Sequence, residues 1–205
     1  MHQKSPELTS LTLPIIDLIH AETLTEFITF WSKKYAYGEE DDYKLVHKES
    51  LSKEELRTLY VWKNGMKLSN KKAKSFEAKI LSKLDVINSL KAQTEVDLNG
   101  FRKEFDHISA VWQIFLLHII HPKTYPIYDQ HVHRAYRYMK GQSYQEINAR
   151  MSKAKKLAFY FDEYLPFIES IWVSNLREMD KAFFAFGQFL NVGKNVVPFD
   201  SYEEG

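Results

Sequence analysis

Residues 108–140 read ISAVWQIFLLHIIHPKTYPIYDQHVHRAYRYMK, and this stretch decides the fold. Up to Ile120 the residues are apolar on almost every face, which predicts a central helix that is buried all round. Pro122 and Pro126 end that helix and force an extended crossing. Asp129 then stands where a helix N-cap belongs. The inner stripe of the helix that follows consists of Val132, Ala135, Tyr136 and Met139.

The flanking sequence places apolar residues at helical spacing and contains no segment longer than a few residues with the alternation of strands. Glycine (7) and proline (6) are scarce, which favours long helices over a fold with many tight turns. Further helices are predicted over residues 23–34, 69–87 and 175–190. Another is predicted to begin at the capping box of Ser52. Residues 144–171 are predicted to form one or two helices, broken near Pro166. The predicted fold class is all-α.

Length and composition predict one globular unit. The 205 residues, 44% of them hydrophobic, can build one sizeable core, or two small lobes that share one, over residues 1–205. The acidic tail, residues 192–205, either moves freely or covers the domain. There are no cysteines, which excludes disulfides, thiolate metal sites and a cysteine nucleophile. No membrane-length apolar run and no signal-peptide pattern is present, so a cytoplasmic protein is expected.

Charge is unevenly distributed. The net charge of +1 lacks the strong basic excess of an obligate nucleic-acid binder. Lysines nevertheless crowd residues 63–83 and residues 153–156. These clusters are either solvated helix faces or patches that follow phosphates, and only the second would make binding steeply salt-dependent.

The string Pro126-Ile-Tyr-Asp-Gln-His-Val-His-Arg134 resembles the segment of the helix-hairpin-helix DNA glycosylases that carries the catalytic aspartate at a helix N-terminus. It is most similar to bacterial proteins grouped as 8-oxoguanine-glycosylase-like, whose corresponding segment is commonly P-I-Y-D. The match covers about residues 111–140. The resemblance implies a helix-hairpin-helix glycosylase-like fold and a role in DNA repair.

By this resemblance Asp129 is the catalytic residue of an N-glycosylase, a hydrolase that binds DNA in a salt-dependent manner. Cleavage of an N-glycosidic bond develops positive charge on the sugar, which a nearby carboxylate stabilises. Water is the second reactant, so neither a cofactor nor a metal is required. A flipped-out base needs stacking groups, and the candidates for substrate contact are Tyr125, Tyr128, Trp112 and His131. The candidates for phosphate contact are Arg134, Arg137 and Lys123.

Two departures from the family pattern restrict the expected activity. The hairpin should precede the aspartate by about twenty residues, where the chain has Phe105-Asp-His-Ile-Ser109 with no glycine. Asp106 would repel a phosphate there. The lysine that forms a Schiff base in bifunctional members is replaced by Ala110. An active protein is therefore expected to be monofunctional, without lyase activity.

Other interpretations of the same residues remain open. Asp129 is equally explained as a helix cap and nothing more, and the arginines as partners of surface carboxylates. The chain is then a non-catalytic module with a glycosylase-like fold that binds nucleic acid or protein. A third hypothesis is a metal-dependent hydrolase, suggested by four histidines close in sequence: His118, His121, His131 and His133. The sequence does not indicate an oligomeric state.

Overall fold

The computed structural model describes residues 23–141, 151–171 and 175–193, and all regular secondary structure in these ranges is helical. The prediction of an all-α fold is confirmed. The helices are α1 (Leu24–Ser32), α2 (Glu40–Tyr43), α3 (Lys53–Asn64), α4 (Asn70–Lys79), α5 (Leu84–Lys91), α6 (Leu98–Glu104), α7 (Ala110–Ile120), α8 (Gln130–Met139), α9 (Lys153–Ala158), α10 (Leu165–Ser170) and α11 (Leu176–Gly193). Short 3-10 turns cover Lys44–His47 and Leu81–Lys83, and a π-helical stretch, Phe159–Tyr164, joins α9 to α10. Within the described ranges, no helix combines the length and apolarity needed to span a bilayer.

Helix α7 is the central element, as its all-round apolarity predicts. Ser109 caps it by accepting a hydrogen bond from the backbone N–H of Trp112, and every residue from Gln113 to Ile120 is buried. The buried side chains form two clusters that meet on this helix. Phe115 belongs to the cluster built on α3 to α7, and Ile114 belongs to the cluster built on α1, α8, α10 and α11.

The crossing between α7 and α8 is fixed by hydrogen bonds to its backbone. The carbonyl of Tyr125 accepts from His118 Nδ1 at 2.7 Å, and the carbonyl of Pro126 accepts from the Tyr160 hydroxyl at 3.0 Å. The N–H of Ile127 donates to Asp180 Oδ2 at 3.2 Å. Helix α7, the π-helical stretch and α11 therefore each hold one residue of the crossing, and Asp129 follows at a defined position.

The lysine-rich stretch differs from the single long helix predicted over residues 69–87. Helix α4 ends at Lys79, and a 3-10 turn separates it from α5. Ile80 leaves helical geometry (φ −123°, ψ −58°), and both Ile80 and Leu81 are buried. Successive residues of an α-helix point about 100° apart, so a break lets two adjacent apolar side chains reach the same core.

The C-terminal helices also differ in detail. Pro166 does not break the chain: it lies in the first turn of α10, where a missing N–H is tolerated, directly after the π-helical stretch. The sequence predicts the final helix over residues 175–190, whereas in the structure this helix extends to Gly193. Residues 142–150, which include the predicted start of the preceding helix, and residues 194–205 of the predicted tail lie outside the described ranges.

Helices α8 and α11 approach each other closely at Gly187. A Cβ atom placed on this residue would lie 1.9 Å from the carbonyl oxygen of His131. The carbonyl of Gly187 in turn accepts a hydrogen bond from Arg134 Nη1 at 2.6 Å. Because the obstructing atom belongs to backbone, a side chain here must push the two helices apart.

We expect Gly187→Ala to lower the free energy of unfolding by about 2–3 kcal/mol, because overpacked cores lose stability of this order. Gly38→Ala is the matched control, since a Cβ there meets nothing within 4 Å. Urea unfolding followed by circular dichroism measures both. Equal midpoints for the two variants would contradict the close approach of α8 and α11.

Candidate active site

Asp129 is the N-cap of α8, as predicted. Its Oδ1 accepts hydrogen bonds from the backbone N–H groups of His131 and Val132 at 2.8 and 3.1 Å. Its Oδ2 accepts from Lys63 Nζ at 2.9 Å. The side chain of Asp129 is 16% exposed and that of Lys63 only 8%. The carboxylate is thus held at a helix N-terminus and paired with a largely buried ammonium group.

These contacts keep Asp129 ionised. Burial by itself raises the pKa of a carboxyl group, but the charge of Lys63 and the hydrogen bond from the Val132 N–H outweigh it. The pKa of Asp129 consequently lies below its usual value. The group is a carboxylate across the neutral pH range.

Asp180 is a second carboxyl group in the same site, and its pKa is shifted in the opposite direction. It is 2% exposed on α11, and burial raises its pKa to about 7 although the charges of Arg177 and Lys63 act against this. Its Oδ2 accepts from the Ile127 N–H, and its Oδ1 has no hydrogen-bond partner among the described residues. Near neutral pH, Asp180 can therefore carry or release a proton.

Arg177 supplies a second cation to this site and is enclosed by aromatic rings. Its guanidinium carbon lies 3.9 Å from the ring centroid of Tyr43, 5.2 Å from that of Tyr35 and 5.4 Å from that of Trp62. Its Nη2 donates to Glu40 Oε1 at 2.8 Å. Cation–π contacts and the ion pair to Glu40 hold this guanidinium in place.

Asp129, Lys63, Arg177 and Asp180 surround a small hollow with aromatic walls. The remaining walls are formed by Tyr35, Tyr37, Trp62, Ile127, Val132 and Phe184. The space that the centre of a water molecule can reach is about 20 Å³, enough for one or two ordered waters. A carboxylate, a titratable acid and two cations therefore share one enclosed, low-dielectric site.

A larger outer groove adjoins the hollow and shares Tyr37 and Trp62 with it. The volume of this groove that the centre of a water molecule can reach is about 290 Å³. Its lining includes Glu39, Met66 and Lys67. The ring of Tyr37 borders both spaces. It is held by its hydroxyl, which donates to the carbonyl of Trp62 at 2.7 Å, and by edge contacts with Trp62 and Phe184.

Of the site residues predicted from sequence, Asp129 lines the hollow and the aromatic candidates lie elsewhere. Tyr128 is 1% exposed and packs in the core against Phe159 and Tyr164. Tyr125 is buried in the other cluster. Trp112 is half-buried, with its ring against Tyr60 and Phe76.

The other predicted residues flank the site or lie away from it. His131 does not line the hollow but supports its wall, because its ring packs edge-on against Phe184 at 4.8 Å. Arg134 is 3% exposed and donates to the carbonyl of Gly187, and Arg137 is half-buried. Lys123 is exposed beside a separate pocket.

The four histidines do not converge. His118 is buried, its Nδ1 donates to the Tyr125 carbonyl, and its Nε2 lies 3.0 Å from the Tyr43 hydroxyl, so both ring nitrogens are engaged in the core. Burial lowers the pKa of His118 to about 3. His133 Nδ1 lies 2.7 Å from the Tyr128 hydroxyl. Among the described residues, no three His, Asp or Glu side chains are grouped as metal ligands would be.

Sequence reasoning missed Lys63, Arg177 and Asp180 as site residues. A signal existed for Lys63: it continues the inner stripe formed by Leu56, Leu59 and Tyr60, so a lysine occupies a core-facing position of α3. Asp180 likewise interrupts the apolar face of α11 next to Met179. Charged residues on inner stripes need buried partners. Here Lys63 pairs with Asp129, Arg177 pairs with Glu40, and Asp180 accepts from the Ile127 N–H.

Comparison with known proteins gives no match: no protein-family model fits the chain, and neither a curated protein nor a solved structure is significantly similar to it.

The raised pKa of Asp180 predicts a pH-dependent stability. Between its usual value near 3.8 and about 7, the native protein holds a proton that the unfolded chain releases. The contribution of Asp180 to stability is therefore full below about pH 4 and is lost as pH rises through 7, a loss on the order of 2–4 kcal/mol.

Asp180→Asn should remove this loss, making the variant more stable than the wild type at pH 8 but not at pH 4. Denaturant midpoints measured from pH 4 to 8 test this. Asp85→Asn, at an exposed position, is the control, and its curve should parallel that of the wild type. Parallel curves for Asp180→Asn as well would show that Asp180 is ionised in the native state.

Proposed function

We propose that the protein is a monofunctional N-glycosylase that hydrolyses the bond between a nucleobase and its sugar in DNA, with Asp129 as the catalytic carboxylate. The observation that carries the proposal is the placement of Asp129, ionised and at a helix N-terminus, in the wall of an aromatic hollow. The resemblance of residues 111–140 to glycosylases points to the same residue and the same chemistry.

The carboxylate provides what bond cleavage requires. As the bond to the base lengthens, the sugar becomes positively charged, and a fixed anion in a water-poor site stabilises that charge more than water does. The two backbone N–H groups that hold Oδ1 fix the orientation of the carboxylate, so no reorganisation is needed during the reaction. The same group can accept a proton from the attacking water.

Asp180 is suited to the complementary task. A departing base leaves more readily when it is protonated, and a buried carboxyl group with a pKa of about 7 can donate that proton at neutral pH. Two neighbouring carboxyl groups with separated pKa values are the usual arrangement for acid and anion roles in glycoside hydrolysis. Asp129 thus acts as the anion and Asp180 as the acid.

The hollow holds only one or two waters, so it must widen to admit a base, and the outer groove beside it is the route that we propose. Rotation of the Tyr37 ring would join the groove to the hollow. Tyr35, Trp62 and Phe184 would then be available to stack on the base, as the site of a flipped nucleotide requires. The sugar would follow and displace Lys63 from Asp129 Oδ2.

A non-catalytic module is the second candidate, and one observation favours it. Both oxygens of Asp129 are already engaged, Oδ1 by two backbone N–H groups and Oδ2 by Lys63. A helix cap locked by a buried ion pair needs no substrate to explain it. The two candidates differ in whether the protein releases a base.

Asp129→Asn should reduce base release by a factor of about 10² to 10³ or more, because it removes the anion but keeps the capping oxygen. Oligonucleotides carrying oxidised, alkylated or deaminated bases are the substrates, and released base is quantified by mass spectrometry. Asp97→Asn is the control: Asp97 caps α6 and does not line the hollow.

If Asp129→Asn fails to fold, the double variant Lys63→Met/Asp129→Asn removes the leftover buried charge and keeps the test valid. Equal release by the wild type and an Asp129 variant would contradict the assignment. DNA binding without release of any base would favour the module.

The rate of base release should fall above about pH 7, since Asp180 must be protonated to act as the acid. In Asp180→Asn this alkaline limb should disappear and the rate near neutral pH should drop about 10²-fold. Single-turnover rates from pH 5 to 9 provide the profile. An unchanged alkaline limb in the variant would assign it to another group.

A further inference from the structure

A second pocket lies away from the aromatic hollow and shares no lining residue with it. It is formed by the segment after α2, the end of α5 and the residues that follow α7. The volume that the centre of a water molecule can reach in it is about 380 Å³. Its polar lining is mostly basic: Lys48, Lys91, Lys123, His47 and His121, with Glu49 as the acidic member. The concentration of cations in one concave site calls for an anionic ligand.

Lys91 forms the floor of this basic pocket in a fixed position. Its Nζ donates to the carbonyls of Val46 at 3.0 Å and Ile119 at 2.7 Å, which accounts for two of its three N–H groups. Burial lowers the pKa of Lys91, so its charge lacks full solvation. An anion in the pocket would accept the remaining N–H and compensate that charge.

His121 is also held in place, by its backbone. Its N–H donates to the carbonyl of Leu117, and its own carbonyl accepts from the N–H groups of Thr124 and Tyr125. The ring nitrogen Nε2 is buried and has no hydrogen-bond partner among the described residues. A turn of the imidazole ring toward the pocket would give this atom a ligand oxygen as the partner that it lacks.

The charge of the pocket fits a singly charged anion. Three lysines are opposed by two carboxylates, Glu49 on the rim and Glu55, which pairs with Lys48. One positive charge is left in excess. A phosphodiester carries one negative charge and offers two oxygens as acceptors, which Lys91, Lys123 and His121 can share.

We propose that this basic pocket binds a phosphate group, most naturally a phosphodiester of a nucleic-acid strand. The site extends the proposed function but does not depend on it, because phosphate binding requires neither Asp129 nor base release. Tyr43 lies between the two sites: its ring contacts His47 on one side and Arg177, a wall of the hollow, on the other. The buried ring of Tyr43 thus connects a residue of the pocket with a residue of the hollow.

Lys123→Ala tests the proposal, because this lysine is exposed and its loss leaves the core intact. Lys33→Ala, at an exposed lysine that ends α1 outside the pocket and outside both lysine clusters, is the matched control for charge. Binding of an undamaged, fluorescently labelled single-stranded oligonucleotide is measured by anisotropy across a range of salt concentrations. Lys123→Ala should reduce the affinity several-fold and the salt slope by about 0.7, whereas Lys33→Ala should change neither.

Inorganic phosphate distinguishes the two sources of the ligand. In the wild type, phosphate should shift the ring NMR signals of His121 and His47 but not those of exposed His107, and Lys123→Ala should weaken this effect. If phosphate shifts these signals while the two lysine variants bind the oligonucleotide equally, the pocket serves a free phosphate compound. Equal oligonucleotide binding by both variants without shifts at His121 would overturn the proposal, and base release would remain an independent question.

Discussion

The ion pair between Lys63 and Asp129 is the polar contact on which the arrangement of this molecule depends. Lys63 lies on α3, which belongs to one hydrophobic cluster, and Asp129 caps α8, which belongs to the other. The 2.9 Å contact therefore joins the two halves of the core where both side chains are largely buried. Buried ion pairs add little net stability, since desolvation offsets most of their attraction, but removal of either partner is costly. Such a pair specifies how two apolar surfaces align.

The same ion pair helps to give the two carboxyl groups of the site, Asp129 and Asp180, different protonation states. Lys63 keeps Asp129 ionised, whereas Asp180 lies deeper and has only the Ile127 N–H as a hydrogen-bond donor. A second carboxylate in so small a volume would be opposed by the first, so burial and repulsion act together to favour the protonated form of Asp180. One acid and one anion within a single site follow from packing alone.

Local signals located Asp129, whereas tertiary packing created its surroundings. The prolines, the apolar run and the capping position are all contained in residues 108–140, so the helix start could be predicted from sequence. Lys63 is 66 residues from Asp129 along the chain, and Ile127 is 53 residues from Asp180. No periodicity connects such distant positions. For the same reason Tyr128 and Arg134, close to the aspartate in sequence, face the core. Tyr128, in the crossing, packs against the π-helical stretch, and Arg134, on α8, donates to a carbonyl of α11.

A ligand larger than the hollow requires the Tyr37 side of its wall to move. Tyr37 is fixed by one hydrogen bond to the Trp62 carbonyl, worth about 1 kcal/mol, and by ring contacts worth about 0.5–1.5 kcal/mol each. Gly65, in the left-handed region at the end of α3, leaves the space that the Tyr37 hydroxyl occupies. Tyr37 also stacks on Tyr35, so a base stacked on an aromatic ring, which returns about 1–3 kcal/mol, offsets only part of what rotation of Tyr37 gives up. A ligand that opens this wall must therefore gain more than one stacking contact, and the rings of Tyr35, Trp62 and Phe184 line the hollow where such contacts would form.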